Sequence, residues 1–236
     1  MEPTDHNLRA WDEVHRRRAE AMAGELGMPE WVRERMPEVA GRHVLHLQCA
    51  TGEETAQLAD LGALVTGLDI SAEALELARE RVPNAVFIQA DVHRLPTELR
   101  RGRFDLVYTG GGVLTWVLDL TAWAHGVVTA LKPGGQLLLY DAHPVVKCLD
   151  AALHWRESYF RTGVETTVGW EHFQLPGPEA TEEKLERFWQ LGQIVTVVAD
   201  AGLVVTQLDE LPSDRRWRRQ DPRVPGEFLL LARKPN

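Results

Sequence analysis

Short apolar runs alternate with amphipathic stretches through the middle of the chain. "HVLHLQC", starting at His43, predicts a strand, and the amphipathic "EETAQLADLG" after it predicts a helix stopped by Gly62. "ALVTGLDI" predicts a second strand. "SAEALELARERV" predicts a helix with Ser71 as its N-cap and Glu73 in the first turn, where negative charge suits the helix dipole. "NAVFIQAD" and "RFDLVYTG" follow as the third and fourth strands. "LTAWAHGVVTAL" is a helix closed by "KPGG", and "QLLLYDAH" is a fifth strand. Five short, largely apolar strands alternating with helices predict a mostly parallel sheet covered on both faces.

The flanks differ. The first forty residues are charged and helical, with Trp11, Val14 and Ala21 as apolar anchors, and "GMPEW" and "RMPEVAG" punctuate them. From 144 to 180 the periodicity lapses into an aromatic-rich insertion holding Trp155, Tyr159, Phe160, Trp170 and Phe173. Thr181, Glu182 and Glu183 are placed to cap one long helix running through 201 and ending at Gly202. "LVVTQLDEL" and "GEFLLLARKP" have no helix between them and predict antiparallel neighbours. The expected organisation is one domain over 1–236, with a helical cap at 1–40 and the insertion at 144–180.

Composition narrows the function classes. A chain of 236 residues, 44% hydrophobic, supports one substantial core. Its net charge of −9 opposes a phosphate backbone and argues against nucleic-acid partners. Two cysteines, Cys49 and Cys148, cannot form a disulfide framework and suit a reducing cytosol. The N-terminal residues lack the apolar core of a secretory leader, and no apolar run approaches the ~18 residues of a membrane span. The expectation is a cytoplasmic protein without membrane attachment, monomeric or homodimeric.

In open parallel sheets, ligands collect beyond the carboxyl ends of the strands. Cys49, Ala50, Thr51 and Gly52 follow the first strand, and Asp69 and Ile70 end the second. Asp91, Val92 and His93 follow the third, Thr109 to Gly112 the fourth, and Asp141 and His143 the fifth. A carboxylate at the end of a second strand can accept two hydrogen bonds from a ribose diol; the alternative for Asp69 is an Asx-turn before the helix. Asp91 can accept from an exocyclic amine, or stand as a solvated loop acid.

"VLHLQCATGEET", "VTGLDIS", "QADVHRLP", "FDLVYTGGGVLTW" and "LKPGGQLLLYDAHP", in this order and spacing, resemble a class I S-adenosylmethionine-dependent methyltransferase. A narrower likeness is to a bacterial subset with an "HLQC" first motif, seen also in Asn7/Trp11/His15, "GVLTW", His143–Pro144 and "LGQIVTVVADAGL". The resemblance covers roughly residues 40–142 and 181–236. It implies a doubly wound, three-layer α/β/α fold with a seven-stranded sheet of order 3-2-1-4-5-7-6, the last strand in the chain antiparallel. It further implies that Asp69 holds the ribose, that Ile70 packs on the adenine, and that Asp91, Val92 and neighbouring His93 meet the adenine edge. Gln48, Cys49, Ala50, Thr51 and Gly52 would approach the methionine moiety, with Tyr108, Thr109 and Gly110 beside the methyl group. Three positions depart from the pattern. His46 stands where the family carries an acid that helps to hold the cofactor's ammonium, and Gln48 and Ala50 stand where it carries glycines.

Methyl transfer is an in-line displacement at a carbon the sulfonium already activates, so alignment can supply ~7–11 kcal/mol and a catalytic triad is not required. Aromatic faces near a sulfonium add roughly 0.5–2 kcal/mol each; Trp11, Tyr108 and Trp116 are candidates, with core packing the alternative for the tryptophans. His143 is the first candidate for a general base, against a role in ordering the loop before Pro144. His154, Tyr159 and His172, in the insertion that would roof the acceptor, rank below it. The histidines lack zinc-site spacing, so no metal is expected. Cys49 reads as a small buried residue. Arg215, Arg216, Arg218 and Arg219 around Trp217 read as a solvated turn, or as an anion site. The favoured function is methylation of a small-molecule acceptor. A nucleic-acid or protein methyltransferase and a non-catalytic nucleotide-binding protein are the alternatives, and a nicotinamide-dependent dehydrogenase ranks last.

Overall fold

The computed structural model describes residues 3–21, 27–150, 152–170, 182–212 and 221–236. The expected pattern appears as β1 (His43–Leu47), α3 (Glu53–Asp60), β2 (Leu64–Asp69), α4 (Ala72–Arg81), β3 (Val86–Gln89), β4 (Phe104–Gly110), α5 (Leu120–Ala130) and β5 (Leu131–Ala142). It is preceded by α1 (Pro3–Ala21) and α2 (Glu30–Arg33). It is followed by β6 (Val164–Val168), β7 (Glu183–Arg187), α6 (Leu191–Asp200), β8 (Val204–Leu211) and β9 (Glu227–Arg233). Seven strands form one sheet in the order β3-β2-β1-β4-β5-β9-β8. The first five are parallel, and β9 runs antiparallel to both β5 and β8. Counting only the strands of this sheet, the order and the antiparallel member are those expected.

The central strands are buried on both faces because each face carries its own layer. Leu137 and Leu139 of β5 join Leu45, Leu47, Val107 and Trp123 beneath α5 and α6. Leu138 and Tyr140, one residue out of phase, join Val44, Leu106, Tyr108, Leu58 and Val32 on the side of α2 and α3. Strict alternation along a strand sends successive side chains to opposite faces, so a continuous apolar run is what a doubly covered sheet requires.

One expectation fails. The helix-favouring "EEKLER" does not continue into the later helix; residues 183–187 form β7, and α6 starts only at Leu191. β7 pairs antiparallel with β6 in a separate two-stranded sheet. The Asn7 side chain brackets Leu185 by donating to its carbonyl at 2.9 Å and accepting from its N–H at 2.7 Å. Lys184 is buried and donates to Thr167 Oγ1 at 2.6 Å and Glu186 at 3.1 Å. These tertiary partners outweigh a local helix preference worth only tenths of a kcal/mol per residue. The later helix is instead capped by Gln190, whose side chain and that of Gln193 exchange hydrogen bonds with the backbone. Within the insertion, Val164–Val168 thus supplies one strand of a two-stranded sheet. The insertion residues His172 and Phe173, the Thr181 cap and the Arg215–Arg219 cluster lie outside the described residues.

Candidate functional site

The loop after β1 turns sharply without the glycines such a turn favours. Gln48 and Ala50 take φ of 54° and 46°, and Gly52 takes 82°. Left-handed backbone costs a non-glycine residue about 1–2 kcal/mol, so the loop stores strain that its surroundings must hold. Those surroundings are specific. The Cys49 N–H donates to Leu68 O at 3.0 Å and the Ala50 N–H to Asp69 Oδ2 at 2.8 Å. The Arg81 guanidinium donates to Thr51 O and lies 3.2 Å from Glu53. At Gly52 a Cβ would sit 3.0 Å from that of Ala78, so only glycine lets α3 pack on α4 here. The Gln48 Nε2 donates to Val113 O at 3.2 Å; its buried Oε1 has no hydrogen-bond partner among the described residues.

Asp69 ends β2 beside this loop. Its other oxygen accepts from Ser71 N at 2.9 Å, an Asx-type turn, so one carboxylate ties the loop to the start of α4. Burial pushes its carboxyl pKa up, against the backbone hydrogen bonds from Ser71, Ala50 and Ile70. Ile70 is half-buried.

Asp91 lies in the loop after the neighbouring strand β3, and its Oδ1 accepts from both the backbone N–H and the Nδ1 of His93, at 2.9 and 2.6 Å. His93 Nε2 accepts from Leu118 N at 2.9 Å, which places the ring proton on Nδ1, facing Asp91. Burial raises the Asp91 carboxyl pKa, but the His93 hydrogen bonds outweigh it and the net shift is downward. His93 is thus a positioning group for Asp91, and Val92 beside it is buried.

On the other side of β1, the end of β4 carries a polar cluster. Tyr108 and Tyr140 both donate their hydroxyls to the Glu54 carboxylate, Tyr108 at 2.8 Å. His46 lies 4.0 Å from Glu54, bonds Thr55 Oγ1 through Nδ1 at 2.8 Å, and meets Tyr108 edge-on. Complete burial lowers the His46 pKa to about 3, so the ring is neutral. Burial and the Glu54 charge push the Tyr108 phenol well above its usual range. Tyr108 is fully buried, with its hydroxyl spent on Glu54. Thr109 is also buried, and Gly110 passes directly under the Tyr140 ring, leaving no room for a side chain.

His143 stands apart from this row. It is buried, its Nδ1 accepts from Val145 N at 3.2 Å, and it caps the 3-10 turn Pro144–Cys148. Its Nε2 lies 2.9 Å from Glu210 of β8, across β9 and on the side of β5 away from β4. Burial lowers its pKa, partly opposed by Glu210.

α1 lies over the strand ends as a roof. Asp12 accepts from the Ser71 hydroxyl at 2.5 Å, Thr4 bonds Asp91, and Asn7 holds β7. Trp11 meets Trp116, from the turn after β4, at 5.1 Å and Trp170, next to β6, at 4.7 Å. The Lys184 ammonium lies 5.2 Å over Trp170. The roof brings together three segments distant in sequence. His154 and Tyr159 are not among these residues: His154 is exposed beside Asp150, and the Tyr159 hydroxyl accepts from Leu191 N.

Structure thus gathers residues 48–52, Asp69, Asp91 and His93 along one edge, with Trp11 above. It adds Glu54, Tyr140 and Asp12, which sequence reasoning passed over. Glu54 had a weak signal, a carboxylate at the second position of the helix after the loop, but nothing local shows which strand side chains it meets. Among the described residues no group of three His, Cys, Asp or Glu side chains could hold a metal, and no helix is long and apolar enough to cross a membrane.

Residues 44–135 match a family model described as a methyltransferase domain. An uncharacterized methyltransferase of Synechocystis is 40% identical over 104 residues, 44% of this chain and 48% of the relative. A trans-aconitate 2-methyltransferase of Paracidovorax citrulli is 35% identical over 133 residues, 52% of this chain and 50% of the relative. The chain spans about half the length of these curated relatives. Among solved structures, an S-adenosylmethionine-dependent methyltransferase from Mesorhizobium loti aligns with TM-score 0.68 and 22% identity over 87% of this chain and 96% of its own. The CcbJ methyltransferase from Streptomyces caelestis aligns with TM-score 0.68 and 19% identity over 96% and 98%. At these identities the shared property is the fold, which is that of Rossmann-like methyltransferases.

Proposed function

We propose that this chain, with a methyltransferase domain over 44–135 and the corresponding sheet around it, transfers the methyl group of S-adenosylmethionine to a small-molecule acceptor. The observation that carries the reading is the row formed by the left-handed loop 48–52, Asp69 and Asp91 at the strand ends. The residues fit the cofactor chemically. Asp69, fixed by two backbone donors, still has acceptor capacity for a ribose diol, since an ionised carboxylate offers about four lone-pair sites. Asp91, aligned by His93, suits an exocyclic amine. Gln48 Oε1, a buried acceptor without a hydrogen-bond partner among the described residues, can take a donor from the ligand, and such groups call for a partner. When bound, S-adenosylmethionine supplies the electrophilic methyl group.

The chain's own contribution is binding, orientation and exclusion of water. α1, Trp116 and the β6–β7 sheet cover the strand ends, which suits a small acceptor better than a polymer. Alignment of the acceptor is the contribution this arrangement supports; His143, beside Val145 and Glu210, stays the first candidate to take a proton where the acceptor releases one, and the Tyr108 hydroxyl donates to Glu54. The named acceptor of one relative, trans-aconitate, is itself small. The narrower likeness to the "HLQC" subset is part of the same reading.

Calorimetry with S-adenosylhomocysteine tests the cofactor; absence of saturable binding at ~1 mM ligand, a threshold of about −4 kcal/mol, would overturn the reading. Asp69→Ala is expected to weaken that binding by roughly tenfold or more, about 1.4 kcal/mol; unchanged affinity would mean the ribose lies elsewhere. Incubating the protein with methyl-labelled cofactor and a cell extract tests the acceptor. Label is expected in the small-molecule fraction; label in RNA or protein would refute it.

A further inference from the structure

We propose that the groove between α5 and α6 is a second ligand site, built around Arg187 for a small molecule with an apolar body and a single carboxylate. The groove has a volume of about 920 Å³, within the roughly 300–1,000 Å³ usual for small-molecule sites. α5 leads into β5 and α6 into β8, and both of these strands run antiparallel to β9. Both helices therefore start at the carboxyl edge of the sheet, the edge along which Asp69 and Asp91 lie. Leu118, in the groove wall, is where the groove abuts that row: its N–H donates to His93 and its carbonyl accepts from Arg187.

The guanidinium is held in place on two sides. Arg187 Nη1 donates to Leu118 O at 2.8 Å, and the group lies 4.1 Å over the Trp189 ring. Trp189 is itself fixed, its Nε1 donating to Val117 O at 2.7 Å. Most of the guanidinium's N–H groups remain available, and among the described residues no acidic side chain pairs with Arg187. A planar fork of this kind matches a carboxylate bidentately, and charge-assisted pairs are the strong ones. Leu118, Leu120 and Val197 in the lining suit an apolar body. The acids in the lining limit the charge. Asp119 and Asp200 are both exposed. Asp119 accepts from Ala122 N at 2.9 Å, and Asp200 closes α6, about 14 Å from the start of that helix. One cation sharing a groove with two water-screened acids fits a monoanion better than a phosphate dianion.

NMR titration of the wild-type protein with benzoate, benzamide and inorganic phosphate tests this, read at the Trp189 indole N–H and the Gly192 amide in the groove lining. Benzamide keeps the shape of benzoate without its charge. Benzoate is expected to shift both signals saturably below ~10 mM, with benzamide and phosphate roughly tenfold weaker or more. In Arg187→Gln, whose spectrum away from the groove should match the wild type, benzoate affinity is expected to fall roughly tenfold or more. No saturable shift with benzoate, or benzamide or phosphate binding as tightly as benzoate, would overturn the assignment, and these wild-type titrations decide it even where the variant fails to fold. Unchanged benzoate affinity in a folded Arg187→Gln would overturn it as well. None of the titrations contains S-adenosylhomocysteine, so their outcome is separate from that of the cofactor reading.

Discussion

Replacing His46 by glutamine should flatten the acid limb of this protein's stability. His46 is 2% exposed, and its folded pKa of about 3 lies well below the unfolded value of 6.5. Above pH 6.5 the ring is neutral in both states and proton linkage contributes nothing. As pH falls below 6.5 the unfolded chain takes up a proton that the folded chain refuses, so stability is lost, continuing until pH nears the folded pKa. Each unit between costs about 1.4 kcal/mol, so at pH 4.5 the loss from this residue is roughly 2.7 kcal/mol, a large share of a typical 5–15 kcal/mol stability. Glutamine keeps an amide to meet Thr55 but has no proton to gain. The variant will be less stable at neutral pH, because the edge contact with Tyr108 is lost; that offset does not depend on pH. Urea unfolding of both proteins at intervals from pH 4.5 to 7.5 isolates the effect, since every other titrating group cancels in the difference between the profiles. The two curves should converge as pH falls. Parallel curves would show that His46 is protonated in the folded state, and the account of it as a neutral buried ring would fail.

Two further outcomes are expected. Ala50→Gly should stabilise the protein by roughly 0.5–1 kcal/mol in denaturant titrations, because the relief of left-handed strain exceeds glycine's entropic cost; destabilisation would mean that the Ala50 methyl is making contacts worth more than the strain. Asn7→Ala should free β7 from α1, raising amide exchange at Leu185 and its neighbours in the β6–β7 sheet and costing about 1–3 kcal/mol for two lost hydrogen bonds; unchanged exchange at Leu185 would refute the role of that bracket.

The β-α alternation up to β5 was legible because doubly covered strands are largely apolar and their helices amphipathic, and both signatures are local. The Ser71 cap and the positions of Asp69 and Asp91 were legible for the same reason: they sit where a strand ends, and ends are marked in the sequence. The "EEKLER" segment was misread because its helix preference is intrinsic, whereas its partners, Asn7 and Thr167, are 178 and 17 residues from the groups they bond. His143 stands after β5 as expected, yet its ring turns toward Glu210, a choice made by the two antiparallel strands that pack beside it.

The chain by itself determined the order of the elements, the sheet they build and the edge at which a ligand would gather, since these follow from hydrophobic periodicity and chain connectivity. Tertiary structure decided the rest. It folded Gln48 and Ala50 into left-handed turns that nothing in their identity requests, by anchoring the loop on Asp69, Leu68 and Val113. It discharged His46 by burying it, and it set Glu54 under two tyrosines from separate strands. Charge state and strain depend on what surrounds a residue, and those surroundings come from segments remote in sequence.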